Sequence, residues 1–207
     1  MEQKIMVLAT SNKHKIQEIG DMFSKNKATK NIKILSLKDI GFEGDIEETG
    51  ETFLENALIK ANAIHQFLKT KNFDYYVLAD DSGLSVDALN GAPGVYSARY
   101  AGEDVDYQRN RDKLLKELEN KSDRTAKFVC TLVLMKPNGE YIFCVGETFG
   151  TITQKEIGNT EFCYDCLFYS HDLKKTFGES TEEEKNSVSH RGRAVNLLIA
   201  KIEKLDI

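Results

Sequence analysis

The sequence has little of what marks a secreted, a membrane-spanning or a nucleic acid-binding protein. Its 207 residues include only four cysteines, which is too few, and too scattered, for the disulfide framework of a small secreted domain. No apolar run approaches the roughly 18 residues of a membrane span. The net charge is -5, whereas a dedicated nucleic acid-binding face is basic. We therefore expect a cytoplasmic protein without nucleic acid or membrane partners, although a nucleotide substrate needs only a local basic pocket.

The sequence also shows no pattern typical of a targeting signal, a linker or an internal repeat. The first apolar run, residues 5–9, is about five residues long and is followed by a polar turn, so we expect no signal peptide. Hydrophobic residues make up 41% of the chain, which is enough to form a buried core without stabilising disulfides or metal ions. We find no internal repeat and no linker, and therefore expect one domain over residues 1–207.

Strand-like and helix-like segments alternate, which predicts an α/β fold with a mixed sheet covered by helices. The predicted strands are residues 5–9, 34–37, 75–79, 128–135 and 141–149. Helices are predicted for residues 15–23, from a capping box at Thr52 to about residue 68, for residues 107–118, and after Ser189. The dipeptide Asn138-Gly139 predicts a hairpin between the last two strands. The acidic segment 179–187 is expected to be a loop.

The first candidate site is the turn between the first strand and the first helix, which reads Thr10, Ser11, Asn12, Lys13, His14 and Lys15. Backbone N–H groups at a helix N-terminus attract phosphate, and the two lysines add positive charge. The glycine-rich pattern of a Walker loop is absent. The same residues also fit an ordinary capped helix with exposed lysines.

Two acidic pairs form the second candidate site. Glu47 and Glu48 precede the Thr52 helix, and Asp80-Asp81 follow a strand. Carboxylates of this kind suit Mg²⁺, which prefers oxygen ligands and keeps several waters. Adjacent strand residues point to opposite faces, so we expect Asp81 to face the ion or water and Asp80 to support it. The alternative is that all four are solvated turn carboxylates.

Lys60 lies at the edge of the apolar stripe of its helix, seven residues after Phe53. A lysine at that edge either extends its ammonium group to water or reaches into a site. Its residue pattern leaves both interpretations open.

The last part of the chain holds two further candidates. Ser189, His190 and Arg191 are predicted to form the first turn of the last helix, where a bound anion or polar ligand would offset the unfavourable cations. Cys163 and Cys166 form a C-x-x-C, which suits a redox pair or half of a zinc site. A zinc site needs two more ligands, and the sequence has no second such motif.

Four stretches of this sequence stand out together: ATSNKHK (residues 9–15), EETGETFLENALIKA (47–61), ADDSGLSVDALNGAPGVYSARYAG (79–102) and KNSVSHRGRAV (185–195). In this order they resemble the Ham1 family of inosine triphosphate pyrophosphatases. The resemblance implies a long, twisted mixed sheet with two lobes around a central cleft, in homodimers. It implies hydrolysis of ITP, dITP and XTP to the monophosphate and pyrophosphate, with Mg²⁺ as the metal and Mn²⁺ as a substitute.

The resemblance also implies roles for individual residues. Asp81 corresponds to the general base, with Lys60 and Asp80 close by as further catalytic residues. Asp81 and Glu48, with Glu47 beside it, correspond to the metal ligands. Substrate contacts correspond to the turn of residues 10–15, to Ser82, to Phe162, Cys163, Tyr164 and Asp165, and to Lys185, His190 and Arg191 at the base-recognition end.

One segment departs from the family pattern. Where the family usually reads G-F-G-Y-D-P, this chain reads Glu161-Phe-Cys-Tyr-Asp-Cys166, so that both glycines and the proline are replaced. Phe162 is expected to stack on the purine, but Glu161 and Cys163 lack the backbone freedom of glycine. The departure therefore bears on substrate specificity more than on catalysis.

Three alternatives to this function remain. One is a pyrophosphatase of the related Maf group, which acts on other modified nucleotides. Another is a non-catalytic nucleotide-binding protein, which would have no need of Asp81 and Lys60. The third is a redox-controlled protein that uses Cys163 and Cys166.

Overall fold

The structure is a computed structural model that describes residues 3–102, 105–159 and 162–205. The strands are β1 (Ile5–Leu8), β2 (Lys33–Leu35), β3 (Tyr76–Val86), β4 (Thr125–Met135), β5 (Tyr141–Ile152), β6 (Phe168–Ser170) and β7 (Lys175–Thr176). The α-helices are α1 (Lys13–Lys25), α2 (Phe53–Thr70), α3 (Tyr107–Glu117), α4 (Glu182–Val188) and α5 (His190–Leu205). Short 3₁₀ helices cover Asp87–Leu89, Gly94–Arg99 and Phe177–Glu179.

The strands form one mixed sheet in the order β2-β1-β3-β4-β5-β6-β7. β1 runs parallel to both β2 and β3, and β6 runs antiparallel to both β5 and β7. A tight turn joins β4 to β5: the N–H of Lys136 donates to the carbonyl of Glu140 at 2.7 Å, and Gly139 takes a positive φ of 88°. The predicted mixed sheet with covering helices and the predicted hairpin are therefore confirmed.

The chain divides into two compact units. Unit 1 contains residues 1–81, 131–145 and 194–207, and unit 2 contains residues 82–130 and 146–193. β3, β4, β5 and α5 contribute residues to both units. The predicted two lobes around a cleft stay a prediction.

Unit 1 has a core between α2 and the parallel strands. α2 begins with the predicted capping box, since Thr52 Oγ1 accepts from the N–H of Glu55 at 3.2 Å and Glu55 Oε2 accepts from the N–H of Thr52 at 3.0 Å. Its apolar stripe packs against the sheet, and all of the residues in this contact are buried: Ala57, Ala61, Ile64 and Leu68 from the helix, Val7 from β1, Ala9 just after β1, and Val77 and Ala79 from β3. This packing fixes α2, and with it Lys60, against the strand that carries Asp80 and Asp81.

Unit 2 has an aromatic core. The ring centroids of Phe128 and Phe168 lie 4.6 Å apart, and those of Phe168 and Phe177 lie 5.1 Å apart. Leu114 and Leu118, in α3 and just after it, are buried in the same cluster. Buried aromatic side chains contribute large apolar areas together with specific ring contacts, so this core gives the segments around it a rigid base.

Two predictions about elements are wrong. β3 does not end before Asp80 but continues through Asp80 and Asp81 to Val86. Most of its residues are buried, so the strand does not alternate between buried and exposed positions, as expected of a strand covered on both faces. The polar residues Asp80 and Asp81 therefore lie within the strand and do not mark its end.

The acidic segment before the last helix is not a loop, because it contains α4. Thr181 and Glu184 form a capping box, in which Thr181 Oγ1 accepts from the N–H of Glu184 at 3.2 Å. The acidic side chains of the first turn also interact favourably with the helix dipole. The T-x-x-E spacing was the signal in the sequence that predicts this helix.

Among the described residues, none of the helices combines the length and the apolar character needed to cross a membrane.

Candidate active site

The predicted phosphate-binding turn is a helix entry capped by its own side chains. Oδ1 of Asn12 accepts from the N–H groups of His14 and Lys15 at 3.0 and 3.3 Å. The N–H of Asn12 donates to Thr10 Oγ1 at 3.2 Å. Two of the backbone donors that we expected to meet a phosphate are therefore engaged by Asn12. Ser11, Lys13 and His14 are exposed, whereas Thr10, Asn12 and Lys15 are half-buried.

Lys15 connects this turn to β3. Its Nζ lies 2.8 Å from Oδ2 of Asp80, whose side chain is only 2% exposed. A buried carboxylate needs a charge partner to remain ionised. Lys15 thus supports Asp80, and Asp80 in turn holds the lysine at the entry of α1.

Asp81 makes a separate set of contacts, to α2. Its Oδ1 lies 3.3 Å from Lys60 Nζ, and its Oδ2 accepts from Nδ2 of Asn56 at 3.1 Å. Asn56 and Lys60 are four residues apart, so one helix face presents both to the strand. Lys60 Nζ also lies 3.3 Å from Oε2 of Glu48. The ammonium group is therefore bracketed by two carboxylates.

Asn56 is a site residue that the sequence analysis missed. It is fully buried, and its Oδ1 accepts from the N–H of Gly50 at 2.8 Å. A Cβ at Gly50 would lie 2.7 Å from that same oxygen, so the close approach of the loop requires glycine. Asn56 thereby ties the loop of Glu48 to the helix of Lys60. Its spacing of four residues from Lys60 was the signal available in the sequence.

The charges of this cluster are strongly perturbed. The pKa of Asp81 is raised to about 6, chiefly by burial and also by the nearby Glu48 carboxylate, against the opposing effects of Lys60, Asn56 and Lys15. Burial alone would lower the pKa of Lys60, but the carboxylates of Asp80, Asp81 and Glu48 outweigh it and raise the pKa overall. At neutral pH the site therefore holds a lysine cation beside a carboxylate whose pKa is suited to proton transfer.

The cluster also fits a divalent cation. Glu48 and Asp81 both contact the Lys60 ammonium group and offer hard oxygen ligands, whereas Glu47 is exposed. Within residues 3–102, 105–159 and 162–205, no group of three or more His, Cys, Asp or Glu side chains is arranged to hold a metal ion. Mg²⁺ is commonly bound by one or two carboxylates, with waters and substrate phosphates completing its shell. Glu48 and Asp81 are therefore the two carboxylates of this cluster that could hold such an ion.

A second cluster lies in unit 2. Lys185 of α4 forms a salt bridge with Asp165, and its Nζ lies 4.3 Å from the centre of the Phe162 ring. Both members of the ion pair are buried. Tyr164 is buried as well, and its hydroxyl donates to the carbonyl of Ser97 at 2.9 Å. The segment thus presents an aromatic ring beside a buried ion pair. Glu161 lies outside the described residues.

The start of α5 belongs to the same unit. Ser189 precedes the helix, and its Oγ accepts from the N–H of Gly192 at 3.0 Å. His190 and Arg191 lie in the first turn of α5, as predicted, and are 6% and 7% exposed. The His190 ring stacks on Phe128 with centroids 4.8 Å apart and planes 14° apart. Ser82 is half-buried in β3.

The two cysteines of the C-x-x-C are free thiols. Burial raises the pKa of Cys163 and of Cys166 to about 11 in each case. Thiol exchange requires the thiolate, which these values suppress at neutral pH. The raised pKa values of the two thiols therefore do not favour the redox alternative.

Comparisons with known proteins show the family to which the chain belongs. A family model described as the Ham1 family matches residues 6–201. A dITP/XTP pyrophosphatase from Clostridium perfringens is 48% identical over 198 residues, which cover 94% of this chain and 95% of that protein. The dITP/XTP pyrophosphatase from Clostridium tetani is 42% identical over 97% of this chain and 96% of that protein.

Solved structures show the same likeness. The Ham1 protein from Staphylococcus aureus has a TM-score of 0.86 and 39% identity, covering 97% of this chain and 99% of that one. A HAM1 protein from Coxiella burnetii has a TM-score of 0.85 and 37% identity over 97% and 99% of the two chains.

Proposed function

The chain belongs to the Ham1 family, and from that premise we propose that it hydrolyses noncanonical purine nucleoside triphosphates. The substrates are ITP, dITP and XTP, and the products are the nucleoside monophosphate and pyrophosphate. The observation that carries the proposal is the buried Asp81 carboxylate, which contacts Lys60 and Asn56 and whose pKa burial raises to about 6. Relatives of nearly the same length bear the name dITP/XTP pyrophosphatase.

Asp81 acts as the general base. It accepts the proton of the water that attacks the α-phosphorus, and the P–O bond to pyrophosphate breaks as the new bond forms. The raised pKa of Asp81 makes this transfer favourable near neutral pH, because a base works best with a pKa close to the working pH. Asn56 and Lys60 keep the carboxylate oriented and ionised.

Positive side chains stabilise the triphosphate. Lys60 lies at the reacting end of the cluster, and Lys15, held by Asp80, lies at the helix entry beside the exposed Lys13. Phosphoryl transfer needs little covalent chemistry from the protein, so positioning and electrostatics supply most of the rate. Thr10, Ser11, Asn12 and His14 complete the phosphate-binding turn in this proposal.

A divalent metal, Mg²⁺ or in its place Mn²⁺, would be held by Glu48 and Asp81, with Glu47 nearby. When bound it would neutralise phosphate charge and make water more acidic. Asp80 supports the cluster through Lys15.

The cluster in unit 2 recognises the base. Hypoxanthine and xanthine present O6 as an acceptor and N1–H as a donor, and adenine presents the reverse. His190 or Arg191 would donate to O6 and Asp165 would accept nearby, while Phe162 stacks on the ring and Lys185 holds Asp165. A site built on such hydrogen bonds rejects the mismatched base by roughly 10⁴-fold, because buried partners would go unpaired. Ser82, Cys163 and Tyr164 complete the substrate contacts.

We also propose that residues 1–207 act as one catalytic domain in a cytoplasmic homodimer. Tyr141, Phe143 and Val145 alternate along β5 and are 46%, 43% and 41% exposed. Alternate residues of a strand share one face. Such an exposed apolar row supports the dimer, since contiguous apolar patches mark interaction surfaces.

The test measures pyrophosphate release from ITP, XTP, GTP and ATP with Mg²⁺, for the wild type and for Asp81→Asn. We expect ITP and XTP to exceed ATP by orders of magnitude, and the variant to lose activity by about 10²-fold or more. Asp39→Asn is the matched control, since Asp39 is exposed and bonds only locally to Ser36. Preference for another modified nucleotide would favour the Maf-like alternative, and binding without hydrolysis would favour a non-catalytic protein.

A further inference from the structure

A buried arginine lies behind the segment that carries Phe162 and Asp165. Arg111 of α3 is 3% exposed, and its Nη1 donates to the backbone carbonyl of Cys163 at 3.1 Å. Cys163 is flanked by Phe162 and is two residues from Asp165. A hydrogen bond to that carbonyl therefore restricts the peptide that orients both neighbouring side chains.

The guanidinium group is itself held rigidly. Its Nε donates to Oε1 of Glu156 at 2.7 Å, and its Nη2 donates to Oε1 of Gln108 at 2.6 Å. Gln108 also donates to Glu156, at 2.8 Å. The planar fork of arginine can serve such a set of acceptors at once, which the point charge of lysine cannot. Arg111 is thus fixed on two sides and extends its third donor to the Cys163 carbonyl.

The neighbour of Arg111 supports the same point. Nδ2 of Asn110 lies 3.8 Å from the Sγ of Cys163, and its Oδ1 accepts from the N–H of Ala101 at 2.7 Å. Cys163 stands where the family pattern has glycine, so its side chain gains a contact that glycine lacks. Consecutive residues of α3 therefore hold both the backbone and the side chain of Cys163.

We propose that Arg111 is a positioning residue for base recognition, which holds the Cys163 carbonyl and thereby fixes Phe162 and Asp165 where the purine binds. This inference rests on the proposed function. Arg111 acts through the segment, by its hydrogen bond to the Cys163 carbonyl. Its loss should therefore weaken recognition of the base and leave the handling of the triphosphate unchanged.

The test compares Arg111→Met with Arg124→Met. Arg124 is a second arginine of unit 2, and it donates from three nitrogens to the backbone carbonyls of Leu118, Ile152 and Thr153. It makes none of these bonds to the segment 162–165, so its replacement controls for lost stability. KM and kcat are measured with ITP. The inhibition constant of inorganic tripolyphosphate, which has no base, reports the phosphate-binding end.

We expect Arg111→Met to raise KM for ITP about 10-fold, the loss typical of a charge-assisted hydrogen bond, with kcat and the tripolyphosphate constant changed less than about 2-fold. Arg111→Lys should give an intermediate KM, because one donor is retained. Arg124→Met should leave all three quantities near the wild type. Equal KM values for the two methionine variants would overturn the proposal, and so would a parallel rise of the tripolyphosphate constant.

Should Arg111→Met fail to fold, Glu156→Gln provides the second variant. It weakens the hold on Arg111 and should raise KM by about 3-fold with an unchanged tripolyphosphate constant, from the loss of charge assistance in one bond; no change in KM would refute the proposal. Failure of the proposed function is distinct, since the wild type would then release no pyrophosphate from ITP or XTP.

Discussion

Asp80 and Asp81 are consecutive residues of β3, yet their carboxylates pair with lysines of two different helices. Asp80 lies 2.8 Å from Lys15 of α1, and Asp81 lies 3.3 Å from Lys60 of α2. Adjacent strand side chains point to opposite faces, so one strand serves both helices without a bend. The separation lets the two acids differ in function: Asp80 supports the helix entry, and Asp81 is left for the proposed proton transfer.

The pH dependence of kcat/KM should report Asp81. A base with a raised pKa is protonated, and so inactive, at a higher pH than an ordinary aspartate. With a pKa of about 6 in the free protein, kcat/KM should fall tenfold for each pH unit below about 6 and be level above it. The measurement is kcat/KM for ITP from pH 4.5 to 8, because kcat/KM reports ionisation in the free enzyme. A midpoint near 4, the ordinary value of an aspartate, would contradict the prediction.

Asn56→Ala should change both the pH profile and the stability. The Asn56 hydrogen bond lowers the pKa of Asp81, so its loss should move the midpoint of the kcat/KM profile to higher pH. The buried Gly50 contact is lost as well, and the free energy of unfolding should fall by about 1–3 kcal/mol. Denaturant unfolding and the pH profile measure the two effects. Asn62→Ala, an exposed position of the same helix, should leave both unchanged.

Lys185→Met should impair the use of ITP. It leaves Asp165 as a buried carboxylate without its salt-bridge partner and removes the cation above the Phe162 ring. We expect kcat/KM for ITP to fall at least 10-fold, since breaking a buried pair is costly. The control is Lys175→Met, which removes only the partly exposed bridge to Glu184 and should have little effect. Similar losses in both variants would argue against a specific contribution of Lys185.

Phe143→Glu should dissociate the proposed homodimer. A charge in the middle of the exposed row on β5 would have to be desolvated in an interface, which opposes association. Light scattering after size exclusion would give the mass: about twice that of the 23.4 kDa chain for the wild type and that of one chain for the variant. Phe73→Glu, at a 37% exposed aromatic outside that row, should remain a dimer. A wild type that is already monomeric would remove the dimer from the proposal.

Local patterns in the sequence were sufficient for most of the elements. The capping box of Thr52, the apolar stripe of α2 and the Asn138-Gly139 turn predict structure because they involve residues within about one or two turns of one another. The segment of α4 was wrongly predicted as a loop, although a local pattern also predicts this helix: the capping box of Thr181 is present in the sequence. Most of the candidate residues followed from the resemblance of whole motifs, and not from spacing alone.

Only the tertiary structure decided which side chains meet. Asn56 and Lys60 reach Asp81 across 25 and 21 residues of chain, and Arg111 reaches Cys163 across 52. The burial that raises the pKa of Asp81 likewise arises from the packing of α2 on the sheet. The sequence by itself therefore determined the elements and the chemical inventory, because those depend on near neighbours. The fold decided the partners and the pKa values, because these depend on distances and on the exclusion of water between segments that are remote in the chain.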